Sequence, residues 1–420
     1  MSGSIPSGFT LPVQVVSAGG VTAWLAEDDS VPVVSLAFSV PGGASLDPAG
    51  QEGAASLAAA LLTEGAGDLE AAAFQEALRD AAISLSFSAD RDEFEGGFRC
   101  LRDALPEAIR LARLALTAPR FDQPAVDRVR ARAVAGARQA LEGPRGQAGR
   151  AFWAGALPGA FGRPPGGTAE SLSALPVEAL RTVPARQFRK GGLLVAAAGA
   201  ISASELEAVL VALFGDWAEG DVPDLPALPG FGLSGVRVVP VESPQSSAVF
   251  GHAGIGVDDP DWEAAGVVLR VLAGGGFSSR LMNAVRVERG LAYGIGAGFE
   301  PVAGQGFIVG SVATQNERMA ETLSVLRTEW ARMAAEGPND AERAEAIAFL
   351  TGSQPLSFTS TRQIAGILLA LRRNNRPLDW LAERPRRLAA LDRARLAAVS
   401  ARILKPDALA VVIAGKPAGL

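Results

Sequence analysis

The residue pair with the clearest chemical potential in this sequence is Arg286 and Tyr293, which stand seven positions apart. Tyr293 is the only tyrosine among the 420 residues. A guanidinium presents a fixed fork of hydrogen-bond donors, and a phenol donates or accepts one bond. If the chain brings the two groups to one point, they are suited to hold a peptide carbonyl or a carboxylate. We therefore treat both residues as candidate substrate-binding groups.

A short helix is the first element that must position this pair. Three glycines at 274–276 lead to Ser278 and Ser279, which are good N-cap candidates. Apolar residues then recur at helical spacing, and Gly290 suits the position just after a helix end. The pattern therefore predicts a helix that starts at the serines and carries Arg286 near its end.

A strand is the second element. Residues 291–299 form an apolar run interrupted by glycines, which places Tyr293 on a strand directly after the helix. An arginine near a helix end and a tyrosine on the next strand can converge on one point. Arg280 is a second basic residue on the same helix, and we interpret it as a structural salt-bridge partner rather than a ligand contact.

Composition bounds the classes of function. A chain of 420 residues suggests two to four domains, and 48% hydrophobic with 20% charged residues describes a globular protein with large cores. A net charge of −6 without a basic block argues against nucleic acid as a partner. No apolar run is long enough for a membrane span, so we expect no membrane partner. We expect a soluble protein, cytoplasmic as given or periplasmic if a signal peptide was removed.

The chain contains a long internal repeat. Each half has a strand-like apolar run followed by an Asp-Pro pair, at Asp47 and at Asp259, and then by a helix. Each half also closes with a similar apolar strand, at 193–199 and at 409–415. These landmarks recur at nearly one offset, which indicates tandem duplication.

The repeat defines the predicted fold class. Runs of strands followed by runs of helices predict an α+β fold with two tandem duplicated domains, each a mostly antiparallel sheet with helices packed on one face. Residues 219–234 are rich in Pro, Gly and Asp, which is typical of an extended linker. The predicted domains are therefore an N-terminal one at 1–218 and a C-terminal one at 235–420.

Segment 274–299 resembles one found in the insulinase/pitrilysin-type zinc peptidases and the mitochondrial-processing-peptidase-like proteins. In that family a glycine-rich turn, a helix ending in an Arg-x-x-x-Gly-Leu-x-Tyr-like pattern and a strand hold substrate for a zinc centre in the first half of the protein. Arg286 and Tyr293 match this pair in type and spacing. The resemblance covers nearly the whole chain, although the specific motif is limited to this segment. It implies a two-lobed clamshell that encloses its substrate.

The zinc site that this resemblance implies is degenerate. Active family members carry H-x-x-E-H on a first-half helix, where two histidines bind zinc and the glutamate activates water. The matching positions here are Ser56, Ala59 and Ala60, and the third ligand, a glutamate on a later helix, falls near Gly136. None of these residues can bind zinc or move a proton. We expect no metal in this chain.

The rest of the sequence offers few alternatives for catalysis. The single histidine, His252, and the single cysteine, Cys100, exclude a two-histidine zinc site, a cysteine cluster and an intrachain disulfide. We interpret His252 as structural, because nothing marks a nucleophile for a Ser-His-Asp triad. Acidic clusters fit turn chemistry, with a carboxylate-only Ca²⁺ or Mg²⁺ site left as an alternative.

The resemblance implies a specific role. Chains of this kind occur as non-catalytic, substrate-binding subunits of bacterial-type heterodimeric zinc metallopeptidases, in which a homologous partner subunit carries the zinc and hydrolyses peptides. We expect no activity from this chain alone. Two alternatives remain: a structural or scaffold subunit, and a stand-alone peptide-binding protein with no peptidase role.

Overall fold

The first half of the chain folds into one large sheet and the helices that cover it. The structure is a computed structural model and describes residues 11–420. Its first-half elements, in chain order, are β1 (Gln14–Ala18), β2 (Val21–Glu27), β3 (Val33–Pro41), α1 (Ala54–Leu61), β4 (Gly65–Ala66), β5 (Leu69–Glu70), α2 (Ala71–Asp80), β6 (Ser84–Ala89), β7 (Glu93–Leu101), α3 (Leu105–Thr117), α4 (Gln123–Gln139), α5 (Pro144–Ala156), α6 (Ala169–Ala174), α7 (Val177–Gln187), β8 (Leu194–Gly199) and α8 (Ala203–Phe214).

The second half repeats this plan with fewer strands. The longest helix within residues 11–420, α11, has 18 residues, and no helix in that range has both the length and the apolar character to cross a membrane. The second-half elements are β9 (Val236–Pro240), β10 (Gln245–Gly256), α9 (Trp262–Leu269), α10 (Arg280–Met282), β11 (Ile295–Val302), β12 (Gln305–Gln315), α11 (Met319–Glu336), α12 (Asp340–Gly352), α13 (Thr361–Arg373), α14 (Trp380–Ala389), α15 (Arg393–Ile403) and β13 (Ala410–Gly415).

The two sheets have one topology, which confirms the predicted α+β fold with two duplicated domains. The first sheet has the order β1-β2-β8-β3-β7-β6, and the second has the order β11-β12-β10-β13-β9. Read from its opposite edge, the second sheet follows β2-β8-β3-β7-β6 strand for strand. In each sheet one pair of neighbouring strands is parallel, β2 with β8 and β9 with β13, and the other pairs are antiparallel. No helix or strand lies between α8 and β9, where the sequence predicts the linker.

Each sheet is covered on its second face by a helix from the other half of the chain. In β8, Val195 and Ala197 point into the first-half core, whereas Ala196 and Ala198 belong to a separate cluster. That cluster is completed by α13 of the second half, with Leu368 fully buried in it. The sequence predicted helices on one face of each sheet, and this additional helix was not anticipated.

In the same way, the second sheet is covered on its outer face by a helix from the first half of the chain. Helix α5 of the first half lies against β10 and β13, and its Phe152 is fully buried. Around it gather Val249, Phe307 and Val412, which point to the face opposite the second-half core. Because an apolar sheet face left in water costs about 25 cal/mol per Å², these two helices are integral parts of the sheets they cover.

Hydrogen bonds fix α13 on the first sheet. Ser35 Oγ and Thr361 Oγ1 are 2.8 Å apart in a buried contact between β3 and the start of the helix. Near the other end of the helix, the Arg372 guanidinium donates to the carbonyl oxygens of Val195 and Thr22. The helix is therefore held at both ends, which sets its register on the sheet.

The packing of α13 on the first sheet predicts that Leu368→Ala destabilises the protein. We expect the free energy of unfolding to fall by about 2–5 kcal/mol, because a fully buried leucine is lost between the halves. Urea unfolding followed by circular dichroism measures this. Val211→Ala, at a position on α8 that is 52% exposed, is the control and should change stability by less than about 0.5 kcal/mol.

The same experiment tests whether the two halves unfold together. Since each half completes the other's sheet, we expect one cooperative transition that shifts as a whole in Leu368→Ala. Two resolved transitions, with only one of them displaced, would show that the halves are independent units.

Candidate functional site

The helix that carries Arg286 starts from a closed glycine turn. Gly276 adopts a φ of 58°, in the left-handed region that favours glycine. Ser279 occupies the N-cap position of α10, but its hydroxyl donates to the Gly276 carbonyl at 2.8 Å and does not cap the helix backbone. Ser278 bonds the Gly275 carbonyl in the same way at 3.0 Å. The prediction that these serines cap the helix is wrong in this respect: both hydroxyls tighten the turn.

The end of the helix is wider than a regular α-helix. Asn283–Val287 form a π-helical turn, which includes Arg286. The chain then stops at Gly290, whose φ of 60° agrees with the predicted helix end. The Leu291 N–H donates back to the Val285 carbonyl at 2.8 Å and satisfies an end group of the helix.

Tyr293 does not lie on a strand, contrary to the prediction from the sequence. Residues 291–294 have no strand pairing, and β11 begins only at Ile295. Leu291 and Ala292 are buried in the second-half core, so this segment leaves the sheet to pack them. Tyr293 follows on a short extended loop and points outward.

The structure brings Arg286 and Tyr293 together. Nη1 of Arg286 donates to the Tyr293 backbone carbonyl at 2.8 Å, and the guanidinium carbon lies 4.1 Å from the centre of the Tyr293 ring. A third residue, Phe277, also contacts this guanidinium, with its ring centre 4.6 Å from the same carbon. Sequence reasoning missed Phe277, whose signal is a large aromatic residue inside a glycine-serine turn.

The pair is held in place and remains accessible. Tyr293 is 84% exposed and Phe277 is 62% exposed. Within residues 11–420, neither the Tyr293 hydroxyl nor the Nε and Nη2 groups of Arg286 have a hydrogen-bond partner. Stacking on aromatic rings favours a guanidinium by about 0.5–1 kcal/mol at exposed sites, and it leaves the edge N–H groups directed outward. The arrangement can therefore donate to a peptide carbonyl or carboxylate without first breaking an ion pair.

A groove lies next to Tyr293. Its volume is about 530 Å³, and its walls are the 290–296 segment and adjoining parts of β10 and β12. Tyr293 lines this groove, whereas Arg286 lies behind the tyrosine ring. The site thus consists of a rigid Arg-Tyr contact at the rim of a peptide-sized depression.

Helix α1, which carries the positions predicted for zinc ligands, is anchored by Asp47. Its two carboxylate oxygens accept bonds from the N–H groups of Gly53 and Ala55, both at 3.0 Å, at the start of α1. Burial raises the pKa of this carboxyl to about 6, although both N–H groups and Arg186 favour its ionised form. The helix therefore begins where the Asp-Pro landmark predicts it.

The residues at the predicted ligand positions on α1 serve packing. The Ser56 hydroxyl lies 2.9 Å from the carbonyl oxygens of both Ala89 and Pro165, so it bridges two loops. Ala59 is buried in the first-half core. Ala60 is half-buried and lines a cavity of about 400 Å³ together with Ser56.

Gly136, the predicted third position, does not join this cavity. It lies exposed on α4, and a Cβ added to it would meet nothing within 4 Å. The α4 residues that line the cavity include Val129, Ala133 and Ala137. The structure therefore brings Ser56 and Ala60 together and leaves Gly136 apart from them.

These residues do not fit zinc. Zinc in proteins takes thiolate, imidazole or carboxylate ligands, and the cavity offers one engaged hydroxyl, methyl groups and the cation Arg132. Within residues 11–420, no group of three His, Cys, Asp or Glu residues could hold a metal ion. No step of peptide hydrolysis can be assigned to this half of the chain.

His252 has the contacts of a structural residue. It is 1% exposed, its Nδ1 lies 2.9 Å from the Ala253 carbonyl oxygen, and Nε2 lies 3.4 Å from the Lys405 backbone nitrogen. Its ring packs edge-on against Trp330 at 5.7 Å. Burial lowers the pKa of this imidazole, and nearby Lys405 lowers it further.

Arg280 forms the structural ion pair that the sequence predicts. Its Nε and Nη2 contact the two carboxylate oxygens of Glu342, both at 2.7 Å, and Nη2 also donates to the Gly337 carbonyl at 2.9 Å. The Arg280 side chain is almost fully buried. This pair ties the start of the site helix to α12.

Comparison with known proteins places these observations in context. Residues 175–350 match the family model described as the peptidase M16 inactive domain. The chain is 26% identical to the "Non-peptidase homolog YmxG" of Helicobacter pylori, over 82% of this chain and 80% of the relative. It is 29% identical to an uncharacterized zinc protease of Streptomyces coelicolor, over 48% of this chain and 45% of that protein. The crystal structure of a peptidase M16 inactive domain from Pseudomonas fluorescens matches with a TM-score of 0.90 and 26% identity, over 97% of this chain and 98% of the other.

The two arginines of the site helix should differ in their effect on stability. Arg280→Ala leaves Glu342 partly buried without its partner, and we expect a loss of about 3–5 kcal/mol in the free energy of unfolding. Arg286→Ala removes a half-buried side chain that forms no ion pair, and it should cost less than about 1 kcal/mol. Urea denaturation of both variants provides the measurement, and equal losses would contradict these assignments.

His252 predicts a pH dependence of stability. Because its pKa is lowered in the folded state from a reference of 6.5, unfolding takes up a proton below that pH, and stability falls as the pH decreases. Relative to His252→Gln, the native chain should lose up to about 1.4 kcal/mol per pH unit below 6.5. Asp47, with its raised pKa, titrates in the same window with the opposite sign, but it is present in both proteins and cancels. Unfolding at pH 7.5 and 5.5 tests this; a constant difference would contradict it.

Proposed function

Because the chain belongs to the M16 peptidase family and resembles its inactive domains, we propose that it is the non-catalytic, substrate-binding subunit of a heterodimeric zinc metallopeptidase. Its partner would be a homologous subunit that carries zinc. In this proposal residues 1–218 form the half with the degenerate zinc site, 219–234 link the halves, and 235–420 supply Arg286 and Tyr293. Hydrolysis of the peptide bond would take place on the partner.

One contrast supports the proposal: Arg286 and Tyr293 are in contact, whereas the residues at the predicted zinc positions offer no set of ligands. The Arg286 guanidinium contacts the rings of both Phe277 and Tyr293 and donates to the Tyr293 backbone carbonyl. Ser56 and Ala60 offer no set of metal ligands. A chain with one half of a peptidase site requires the other half from a second chain to take part in hydrolysis.

The role of each residue follows from its geometry. The outward N–H groups of Arg286 would donate to a carbonyl of the bound peptide near the scissile bond. The Tyr293 hydroxyl would donate to, or accept from, a neighbouring backbone group. Phe277 does not need to touch the peptide, since it holds the guanidinium from behind. Positioning of this kind lowers the barrier because the reacting bond is held still.

Two other functions correspond to distinct results. A scaffold subunit needs neither an exposed tyrosine nor an arginine without an ion pair, so the geometry of the pair weighs against it. A stand-alone peptide-binding protein would use the same pair without a zinc-carrying partner. Peptide affinity of the isolated chain and the identity of co-purifying proteins separate the two.

The first test is purification of the tagged chain from its native host, with metal content and peptidase activity measured on the eluate. We expect a stoichiometric second chain that contains zinc and is active. Arg286→Ala or Tyr293→Phe should lower kcat/KM by about ten- to a hundredfold, since a charge-assisted hydrogen bond contributes about 1.5–3 kcal/mol. Arg237→Ala, on exposed strand β9, is the control and should leave activity unchanged.

Phe277→Ala extends this test to positioning. Loss of the second aromatic ring should lower kcat/KM less than Arg286→Ala does, because the hydrogen bond to the Tyr293 carbonyl remains. If the chain purifies alone, without zinc and without activity, the heterodimer proposal fails. Unchanged activity in Arg286→Ala within an active complex would favour the scaffold role.

A further inference from the structure

The groove beside Tyr293 has positive charge on its walls and no negative charge. Of the described residues that line it, the charged ones are Arg145 and Arg318. Neither forms an ion pair with a carboxylate within residues 11–420. The whole sequence has a formal net charge of −6. The positive charge of the groove is therefore opposite in sign to the net charge of the chain.

The two arginines come from different halves of the chain. Arg145 is exposed in the first turn of α5, the helix that the first half contributes to the second sheet. Arg318 lies just after β12, and its Nη1 donates to the Gly290 carbonyl at 2.7 Å. That bond fixes one side of the guanidinium, while its remaining N–H groups have no protein partner within residues 11–420. Helix α5, seated on the second sheet, therefore supplies one of the two charges of the groove.

The groove also exposes a strand edge. β12 pairs with β11 up to Val312, opposite Ile295, whereas residues 313–315 pair only with β10. Segment 291–294 turns toward the core, where the Leu291 carbonyl accepts a hydrogen bond from the buried Thr314 hydroxyl, so residues 313–315 have no strand partner on that side. An open edge offers backbone donors and acceptors to an extended peptide. A small inorganic anion would make no use of it, so the groove favours a peptide that carries the negative charge.

We propose that this groove binds a carboxylate of the peptide, either an acidic side chain or a free C-terminus, between Arg145 and Arg318. The peptide backbone lies along the open edge of β12 and reaches Tyr293 at the rim. A carboxylate matches the donor fork of arginine, and two arginines with no competing acid provide selectivity for it. This inference rests on the proposed peptide-binding role and adds the chemical class of the preferred peptide.

Isothermal titration calorimetry of the full chain tests it with three short peptides of otherwise identical sequence. One is neutral and amidated, one carries a single glutamate, and one is neutral with a free C-terminal carboxylate. We expect at least one carboxylate peptide to bind about ten- to a hundredfold more tightly than the neutral one. Whichever peptide binds more tightly than the neutral one shows whether the groove prefers an acidic side chain or a free C-terminus.

Three variants locate the effect. Arg145→Gln and Arg318→Gln should each remove about tenfold of the advantage of the carboxylate peptide and leave the neutral peptide unaffected. Arg150→Gln is the matched control, because Arg150 is exposed on the same helix and does not line the groove. Its affinities should stay within about twofold of the native values.

The outcomes separate this inference from the proposed function. If the neutral peptide binds as tightly as both carboxylate peptides, or if Arg150→Gln has the same effect as the groove variants, the carboxylate inference is overturned. Binding of the neutral peptide that is lost in Arg286→Ala would then still support the proposed function. If no peptide binds the isolated chain, the inference also fails, and the activity of the complex decides the proposed function.

Discussion

The reciprocal exchange of α5 and α13 is the constraint on which the rest of the structure depends. Strands β8 and β13 alternate between two apolar clusters, so both faces of each sheet must be covered. The helices of one half cover one face, and the other face is completed from across the chain. As a result, the relative placement of the halves is fixed by core packing. The groove beside Tyr293 is lined by Arg145 from α5 and by Arg318 from the second half. The same core packing therefore sets the positions of these two arginines relative to each other.

Helix α1, which carries the positions predicted for zinc ligands, is part of the first-half core. Asp47 fixes the start of α1, Ala59 is buried in the core, and Ser56 bridges two loops. These contacts hold α1 in the fold through packing and hydrogen bonds among protein groups. Stability does not explain the Arg286–Tyr293 contact in the same way, because Tyr293 is exposed and Arg286 has no ion pair. This difference is the reason why we propose a binding role for the pair.

The sequence predicts most of this fold where the signal is local. The apolar residues of α13 recur at helical spacing, which predicts this helix. The duplicated topology is predicted by the Asp-Pro and strand landmarks that recur at nearly one offset. The exchange of helices is not local: periodicity identifies an apolar face but not the sheet that it covers. The start of β11 was misplaced because burial of Leu291 pulls the segment out of the sheet, although its composition is that of a strand. The Arg286–Tyr293 contact was predicted from type and spacing, whereas Phe277 has no periodic signal. The third-ligand position near Gly136 stays a prediction, because a helix without ligand-type residues gives no register to check.

The exchange also imposes an order in time on a chain that is made from its N-terminus. Strand β8 ends at Gly199, but the helix that covers its outer face ends only at Arg373, about 170 residues later. At roughly 5–20 residues per second of synthesis, that apolar face stays uncovered for roughly 10–35 s on the ribosome. The first half cannot reach its final form before most of the second has been made. Nascent chains of this architecture are therefore natural clients for factors that shield apolar sheet surfaces during translation.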